Sequence, residues 1–123
     1  MVFVAQKDRN TVFALNAQTG DVVWAFTAGG TIDSPPTFDR GKIYFGSADG
    51  NVYSLRATDG TLAWRTRAAP AERRVIAYGR VESAWPVSGS VLVQQGAVFC
   101  AAGRSSFLDG GIRIVKMDAD SGK

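Results

Sequence analysis

The chain has 123 residues, of which 46% are hydrophobic and 20% charged, so its composition is that of an ordinary globular protein with enough apolar residues for a core. A net charge of +3 does not indicate a nucleic-acid partner, because nucleic-acid-binding proteins concentrate basic charge far more strongly on one face. Histidine is absent, which excludes Ser-His-Asp and Cys-His catalytic arrangements and histidine-ligated zinc within this chain. No stretch approaches the roughly 18 apolar residues of a membrane span, and no signal peptide precedes the first apolar run.

The single cysteine, Cys100, excludes an internal disulfide, a paired-thiol redox motif and a zinc site built from several cysteines. It lies in the apolar run from Ala97 to Ala102, which predicts a buried and unreactive thiol. A reactive thiol is the alternative interpretation.

The predicted elements are short strands throughout, because runs rich in Val, Ile, Phe, Tyr and Trp alternate with turn sequences such as Asp-Gly and Thr-Gly. No window shows the sustained apolar face and the caps of a helix. In chain order, the predicted strands are Val2–Ala5, Thr11–Asn16, Val22–Thr27, Pro36–Asp39, Lys42–Ser47, Asn51–Arg56, Leu62–Thr66, Ser90–Gln94, Ala97–Ala102 and Ile112–Asp118.

Part of this pattern repeats after 40 residues, since Gly20 and Trp24 recur as Gly60 and Trp64. A third copy begins at Ile114, and the chain ends before its tryptophan would appear. Short strands repeated at about 40 residues are typical of β-propeller blades, each a sheet of four antiparallel strands. We therefore predict an all-β chain of about three blades, the first and last incomplete. The predicted blades are residues 1–28, 35–67 and 88–123.

The repeated segments resemble the tryptophan-docking motif of PQQ-type β-propeller repeats, A-x-D-x-x-T-G-x-x-x-W. The resemblance implies that each glycine forms the turn between the third and fourth strands, and that each tryptophan lies flat across the turn of a neighbouring blade. These residues are interpreted as architectural and not as a ligand site. The acidic position of the motif is occupied by Asp118 in the third copy. The first copy has the similar residue Asn16 at this position, and the second copy has Arg56. The matching residues are Ala14, Asn16, Thr19, Gly20 and Trp24, then Ser54, Arg56, Asp59, Gly60 and Trp64, then Lys116, Asp118, Ser121 and Gly122.

The third repeat is longer than the second, and its extra residues fall in segments 67–86 and 103–111. Because neighbouring strands of a blade run in opposite directions, both segments open on one face and the Thr-Gly turns open on the other. Long loops on one rim of a rigid scaffold often bind ligands, and arginine side chains suit carboxylate or phosphate. The alternative is that these segments bind no ligand. In that case the arginines are solvated, Trp85 packs on its blade, and Arg104 pairs with Asp109 within its loop. The candidate binding residues are Arg67, Arg73, Arg74, Arg80, Trp85, Arg104 and Asp109.

Two functions fit this interpretation. The first is a non-catalytic binding or scaffolding module, as in the bacterial PQQ-type propellers of outer-membrane protein assembly, with no catalytic residue, metal or cofactor in this chain. The alternative is part of a quinoprotein dehydrogenase acting on alcohols or sugars, in which the resemblance implies PQQ on the propeller axis, Ca²⁺ held by carboxylates and an Asp base.

Incomplete blades would expose apolar sheet faces, so we expect a fragment of a longer polypeptide or a homo-oligomer. The partner is then a second protein or the remaining blades of the propeller. The resemblance also implies a periplasmic or extracellular location, although this chain carries no signal peptide.

Overall fold

The computed structural model describes residues 1–6, 9–68, 74–77, 80–83, 86–87, 91–103 and 113–123. The regular elements of this part of the chain are β-strands, and none of these residues belongs to a helix that is long and apolar enough to cross a membrane. In chain order, the strands are β1 (Val2–Gln6), β2 (Thr11–Leu15), β3 (Val22–Thr27), β4 (Thr37–Asp39), β5 (Lys42–Gly46), β6 (Asn51–Arg56), β7 (Leu62–Arg67), β8 (Arg74–Ala77), β9 (Arg80–Ser83), β10 (Leu92–Gln94), β11 (Ala97–Ala102) and β12 (Arg113–Asp118).

These strands form three antiparallel sheets and a separate hairpin. We call β1-β2-β3 the first sheet, β4-β5-β6-β7 the middle sheet and β10-β11-β12 the third sheet, while β8 pairs only with β9. Within each sheet, neighbouring strands are consecutive along the chain, so each sheet is a simple meander. The ten strands predicted from the repeat are all present, and their ends agree with the prediction to within two residues.

The hairpin β8–β9 lies in segment 67–86, for which the sequence predicts only a loop. Arg74 pairs with Ser83 and Ala77 pairs with Arg80, which leaves two residues to connect the strands. Val75, Ile76 and Val81 favour strands, and a two-residue connection that ends in glycine favours a tight hairpin. The prediction of a loop for segment 67–86 is wrong: the 40-residue repeat has no counterpart for this segment, and its local strand pattern forms an additional hairpin.

The middle sheet forms a core on each of its faces, because successive side chains of a strand point in opposite directions. Phe45 and Tyr53 stack with ring centroids 5.2 Å apart in the core shared with the first sheet. Tyr44 and Trp64 belong to the core shared with the third sheet, which also contains Cys100. Each fully buried large apolar side chain stabilises the fold by about 1.5–3 kcal/mol, so both sheet-to-sheet contacts contribute substantially.

One edge of the sheet stack carries the β5–β6 turn and the connections between sheets, and we call this edge the loop face. Ala48 N–H donates to the carbonyl of Thr31 (2.8 Å), and Val87 N–H donates to the carbonyl of Ser47 (3.0 Å). Gly103 N–H donates to the carbonyl of Pro86 at 3.0 Å. The described ends of the two inserted segments therefore lie together on the loop face, as the alternation of strand directions predicts.

Candidate functional site

Two indole side chains lock neighbouring sheets together on the edge opposite the loop face. Trp24 of the first sheet donates its Nε1–H to the carbonyl of Ala57 in the middle sheet (2.9 Å). Its ring covers Gly60, where an added Cβ would lie 2.6 Å from two ring carbons. Trp64 of the middle sheet repeats this arrangement with Ala119 and Gly122 of the third sheet. Only glycine leaves room for the ring at these positions.

The turns beneath the indoles are held by short polar side chains. Asn16 Oδ1 accepts hydrogen bonds from the N–H groups of Gln18 and Thr19, and Asp118 Oδ1 accepts them from Asp120 and Ser121. These backbone bonds lower the pKa of the Asp118 carboxyl. The side chains of Asn16 and Asp118 thus hold the backbone of their turns.

Arg56 occupies the same motif position in the middle sheet and lacks an acceptor for the turn. Asp59 Oδ1 instead accepts a hydrogen bond from Thr61 N–H at 3.0 Å, and Arg56 Nη1 lies 3.7 Å from Asp59 Oδ2. The Thr61 bonds are the largest cause of the lowered pKa of the Asp59 carboxyl. The turn therefore keeps its shape although its acidic residue has moved by three positions.

The first sheet has a turn of the same kind, but no indole covers its glycine. Ala17 and Gly20 stand in the same relation as Ala57 and Gly60, and Gly20 has a φ of +78°. A Cβ added to Gly20 would meet nothing within 4 Å. A cavity of about 260 Å³ lies beside this turn and is lined by Met1, Asn16, Ala17, Gln18 and Val23.

The loop face holds a polar cleft of about 540 Å³ between the first and middle sheets. One wall comes from the end of β3 and the connection that follows it, and the other comes from β6, β7 and the β5–β6 turn. The cleft is thus built by two sheets and depends on the packing between them. Its lining residues are Phe26, Thr27, Gly29, Asp49, Asn51, Tyr53, Arg65 and Arg67.

A short hydrogen-bond network fixes the inner wall of the cleft. Tyr53 Oη donates to Asp49 Oδ2 at 2.5 Å and accepts a bond from Gly29 N–H at 3.2 Å. Asn51 N–H donates to Asp49 Oδ1 at 3.0 Å. A Cβ on Gly29 would lie 2.6 Å from Asp49 Oδ2, so glycine is needed for this approach. Burial, and then the bond to Asp49, raise the pKa of the Tyr53 hydroxyl, which keeps it protonated as a donor.

Two arginines form the outer wall of the cleft. Arg65 pairs across the sheet with Tyr53, and Arg67 pairs with Asn51. They lie two residues apart on β7, so both side chains leave the same face of the strand. Both are exposed, and the salt bridges found among the described residues involve neither of them.

The sequence-predicted loop residues are only partly described. Arg67 lies in the cleft. Arg74 begins β8 and Arg80 begins β9, so the hairpin brings them to its two strands. Their side chains lie outside the described residues, as do residues Arg73, Trp85, Arg104 and Asp109.

The sequence did not single out the inner wall of the cleft. The sequence predicts an Asp-Gly turn at Asp49 and a strand from Asn51 to Arg56 that contains Tyr53, and neither context indicates a cleft. Across the part of the chain that the structure describes, no group of three His, Cys, Asp or Glu residues could hold a metal ion. The described carboxylates are thus not clustered as a Ca²⁺ site held by several carboxylates would require.

Comparison with known protein families matches all of residues 1–123 to the model described as outer membrane protein assembly factor BamB. The chain belongs to this family of PQQ-like repeats. The BamB of Escherichia coli (strain K12) is 35% identical over 68 residues, which cover 47% of this chain and 17% of that protein. The dehydrogenase subunit of the quinone alcohol dehydrogenase of Komagataeibacter europaeus is 27% identical over 133 residues, 99% of this chain and 17% of that protein. The chain thus spans about a sixth of these relatives.

Solved structures show the same architecture. A quinohemoprotein alcohol dehydrogenase of Pseudomonas putida HK5 matches 98% of this chain with a TM-score of 0.80 and 21% identity, over 18% of its own length. BamB of Moraxella catarrhalis matches 98% with a TM-score of 0.68 and 16% identity, over 35% of its own length. These likenesses confirm the predicted all-β propeller fold.

Proposed function

We propose that this chain is a binding module, and that the loop face of its propeller sheets recognises a protein or another ligand without performing a chemical step. The polar cleft between the first and middle sheets is the observation that carries this proposal. Its inner wall is fixed by the Asp49–Tyr53–Gly29 bonds, and its outer wall presents two exposed guanidinium groups. A rigid concave scaffold with a few polar groups is the usual form of a ligand site.

The uncovered turn at Ala17 and Gly20 supports a second kind of contact, with a further propeller sheet. The two other turns of this type each receive an indole, and Trp24 and Trp64 are both occupied in that role. Apolar side chains are also exposed on the outer faces of the first and third sheets, including Val2, Val4, Leu92 and Ile114. We propose that remaining blades of a propeller cover these faces; a second copy of this chain is the alternative partner.

The name of the matched family supports a role in the assembly of outer-membrane proteins, and hence a periplasmic location. Fluorescence anisotropy of a labelled outer-membrane β-barrel protein, diluted from urea into increasing amounts of the chain, tests this function. We expect saturable binding that a folded soluble control protein does not compete away. Absence of binding under conditions in which the chain remains folded would contradict the proposal.

A dehydrogenase role is the second candidate, because the alignment with the quinone alcohol dehydrogenase covers 99% of the chain, whereas that with Escherichia coli BamB covers 47%. Titration with PQQ and Ca²⁺ distinguishes the two functions. The binding-module proposal predicts no change in PQQ absorbance and no rise in the melting temperature. A saturable change in both would favour the dehydrogenase.

A further inference from the structure

We propose that the cleft between β3 and β7 binds an extended acidic segment of a partner protein whose carboxylates alternate along the chain, as in Glu-x-Glu. This inference rests on the proposed binding function and names the chemistry of the ligand. Its basis is the pair Arg65 and Arg67, which form one wall of a preformed cleft. Carboxylate groups suit this wall because each guanidinium presents a planar fork of N–H donors.

The spacing of the arginines sets the spacing of the acids. Residues i and i+2 of a strand lie on the same face and are separated by about 6.5–7 Å. The side chains of an extended peptide follow the same rule, so carboxylates at alternate positions match Arg65 and Arg67 one to one. Carboxylates on adjacent residues point to opposite sides of an extended segment, and only one of them can then reach the cleft.

The opposite wall favours a peptide over a free anion. Phe26 of β3 lies edge to face against Tyr53 with ring centroids 5.7 Å apart. Phe26 is only partly buried and offers apolar surface to the methylene groups of a glutamate, whereas Tyr53 is 2% exposed and supports the Phe26 ring from within the core. The Asn51 side chain adds a donor and an acceptor for backbone groups of a peptide.

The carboxylate of Asp49 is the opposing charge in the cleft. It is 4% exposed and receives hydrogen bonds from Tyr53 and Asn51, so it is turned into the protein. The exposed charge of the cleft is therefore that of the two arginines. A free phosphate would engage the arginines but would leave the aromatic surface uncovered.

The test uses the chain and three fluorescein-labelled peptides of identical length, with the sequences Ser-Glu-Ser-Glu-Ser, Ser-Ser-Glu-Glu-Ser and Ser-Gln-Ser-Gln-Ser. We expect the alternating acidic peptide to bind most tightly, the adjacent acidic peptide at least about threefold more weakly, and the glutamine peptide about tenfold more weakly or not at all. Equal affinity for the three peptides would overturn the proposal. Displacement of the bound peptide by inorganic phosphate at equal concentration would overturn it as well.

The double variant Arg65→Gln, Arg67→Gln is expected to lose at least about tenfold in affinity for the alternating peptide, because two charge-assisted contacts are removed. The matched control is Arg40→Gln, Arg56→Gln, which removes the same charge from exposed residues away from the cleft and is expected to change the affinity less than about twofold. Equal losses in the two double variants would show general charge attraction and overturn the site.

The unfolded outer-membrane protein separates failure of this inference from failure of the proposed function. If that protein binds the wild-type chain and the Arg65→Gln, Arg67→Gln variant alike, and the acidic peptide does not bind, the binding function stands and the acidic ligand is wrong. If neither ligand binds the folded chain, both proposals fail.

Discussion

Replacing Gly60 by alanine tests the contact between a tryptophan of one sheet and a glycine turn of the next, which occurs at both sheet-to-sheet interfaces. An alanine there must adopt the left-handed φ of +74°, which costs about 1 kcal/mol, and its Cβ would lie 2.6 Å from the indole of Trp24. The ring must then move away from Ala57, which weakens a hydrogen bond worth about 1 kcal/mol and uncovers part of a side chain that is only 8% exposed. We expect Gly60→Ala to lower the free energy of unfolding by about 3 kcal/mol in total.

Gly20 provides a matched control within the same chain. Its φ is +78°, and an added Cβ would meet nothing within 4 Å. Gly20→Ala should therefore cost only the backbone strain of about 1 kcal/mol. Urea denaturation followed by far-ultraviolet circular dichroism measures both losses, and tryptophan fluorescence reports whether the indole becomes exposed in Gly60→Ala. Equal losses at Gly20 and Gly60 would refute the idea that the covering indole is what demands glycine.

Three further predictions concern the Trp64 indole, the Asp118 carboxylate and the Cys100 thiol. Trp64→Phe, which loses the N–H bond to Ala119, should lower the free energy of unfolding by about 1–2 kcal/mol, and an unchanged urea midpoint would contradict the role of that bond. Hydrogen bonds from the turn N–H groups lower the pKa of the Asp118 carboxyl. The ionised carboxylate therefore stabilises the folded chain above the unfolded pKa, and this contribution is lost as the pH falls through the folded pKa. Asp118→Asn should accordingly flatten the fall of Tm between about pH 5 and pH 3. Burial raises the pKa of the Cys100 thiol from 9.0 to about 11, so the thiol form is stabilised below pH 9 and that stabilisation is lost as the pH rises toward 11. Native protein at pH 8 should resist iodoacetamide until urea is added, and rapid native labelling would show that Cys100 is reactive.

The repeat allowed most of the fold to be predicted from the sequence. The 40-residue spacing of Gly20–Trp24 and Gly60–Trp64 locates the first two sheets, and the third copy that begins at Ile114 locates the last strand of the third sheet. Each of these signals is local, or recurs at a fixed distance, so the sequence alone displays it. The family resemblance then identified the joint residues, and both indoles contact the turns that the motif implies.

The cleft could not be predicted because it arises from contacts between sheets. Asp49 has the sequence context of an ordinary turn, and nothing local shows that Gly29 approaches its carboxylate or that Tyr53 donates to it. Gly29 lies in the connection that follows the first sheet, and Asp49 lies 20 residues later in the β5–β6 turn of the middle sheet. Arginines at alternate positions of an outer strand also look like a solvated face until the opposite wall is known.

Residues of the cleft can be distinguished from residues of the scaffold because they do not follow the 40-residue repeat. The joint residues Trp24 and Gly20 recur unchanged 40 positions later, since every sheet needs the same contact with its neighbour. The cleft residues do not recur: subtracting the same period from Arg65 and Arg67 gives Ala25 and Thr27, which cannot bind a carboxylate as guanidinium groups do. A repeated architecture has no need for charge in only one of its copies, because the packing of the sheets is the same without it. This departure from the repeat supports the proposal that Arg65 and Arg67 contact a ligand in the cleft between the first and middle sheets.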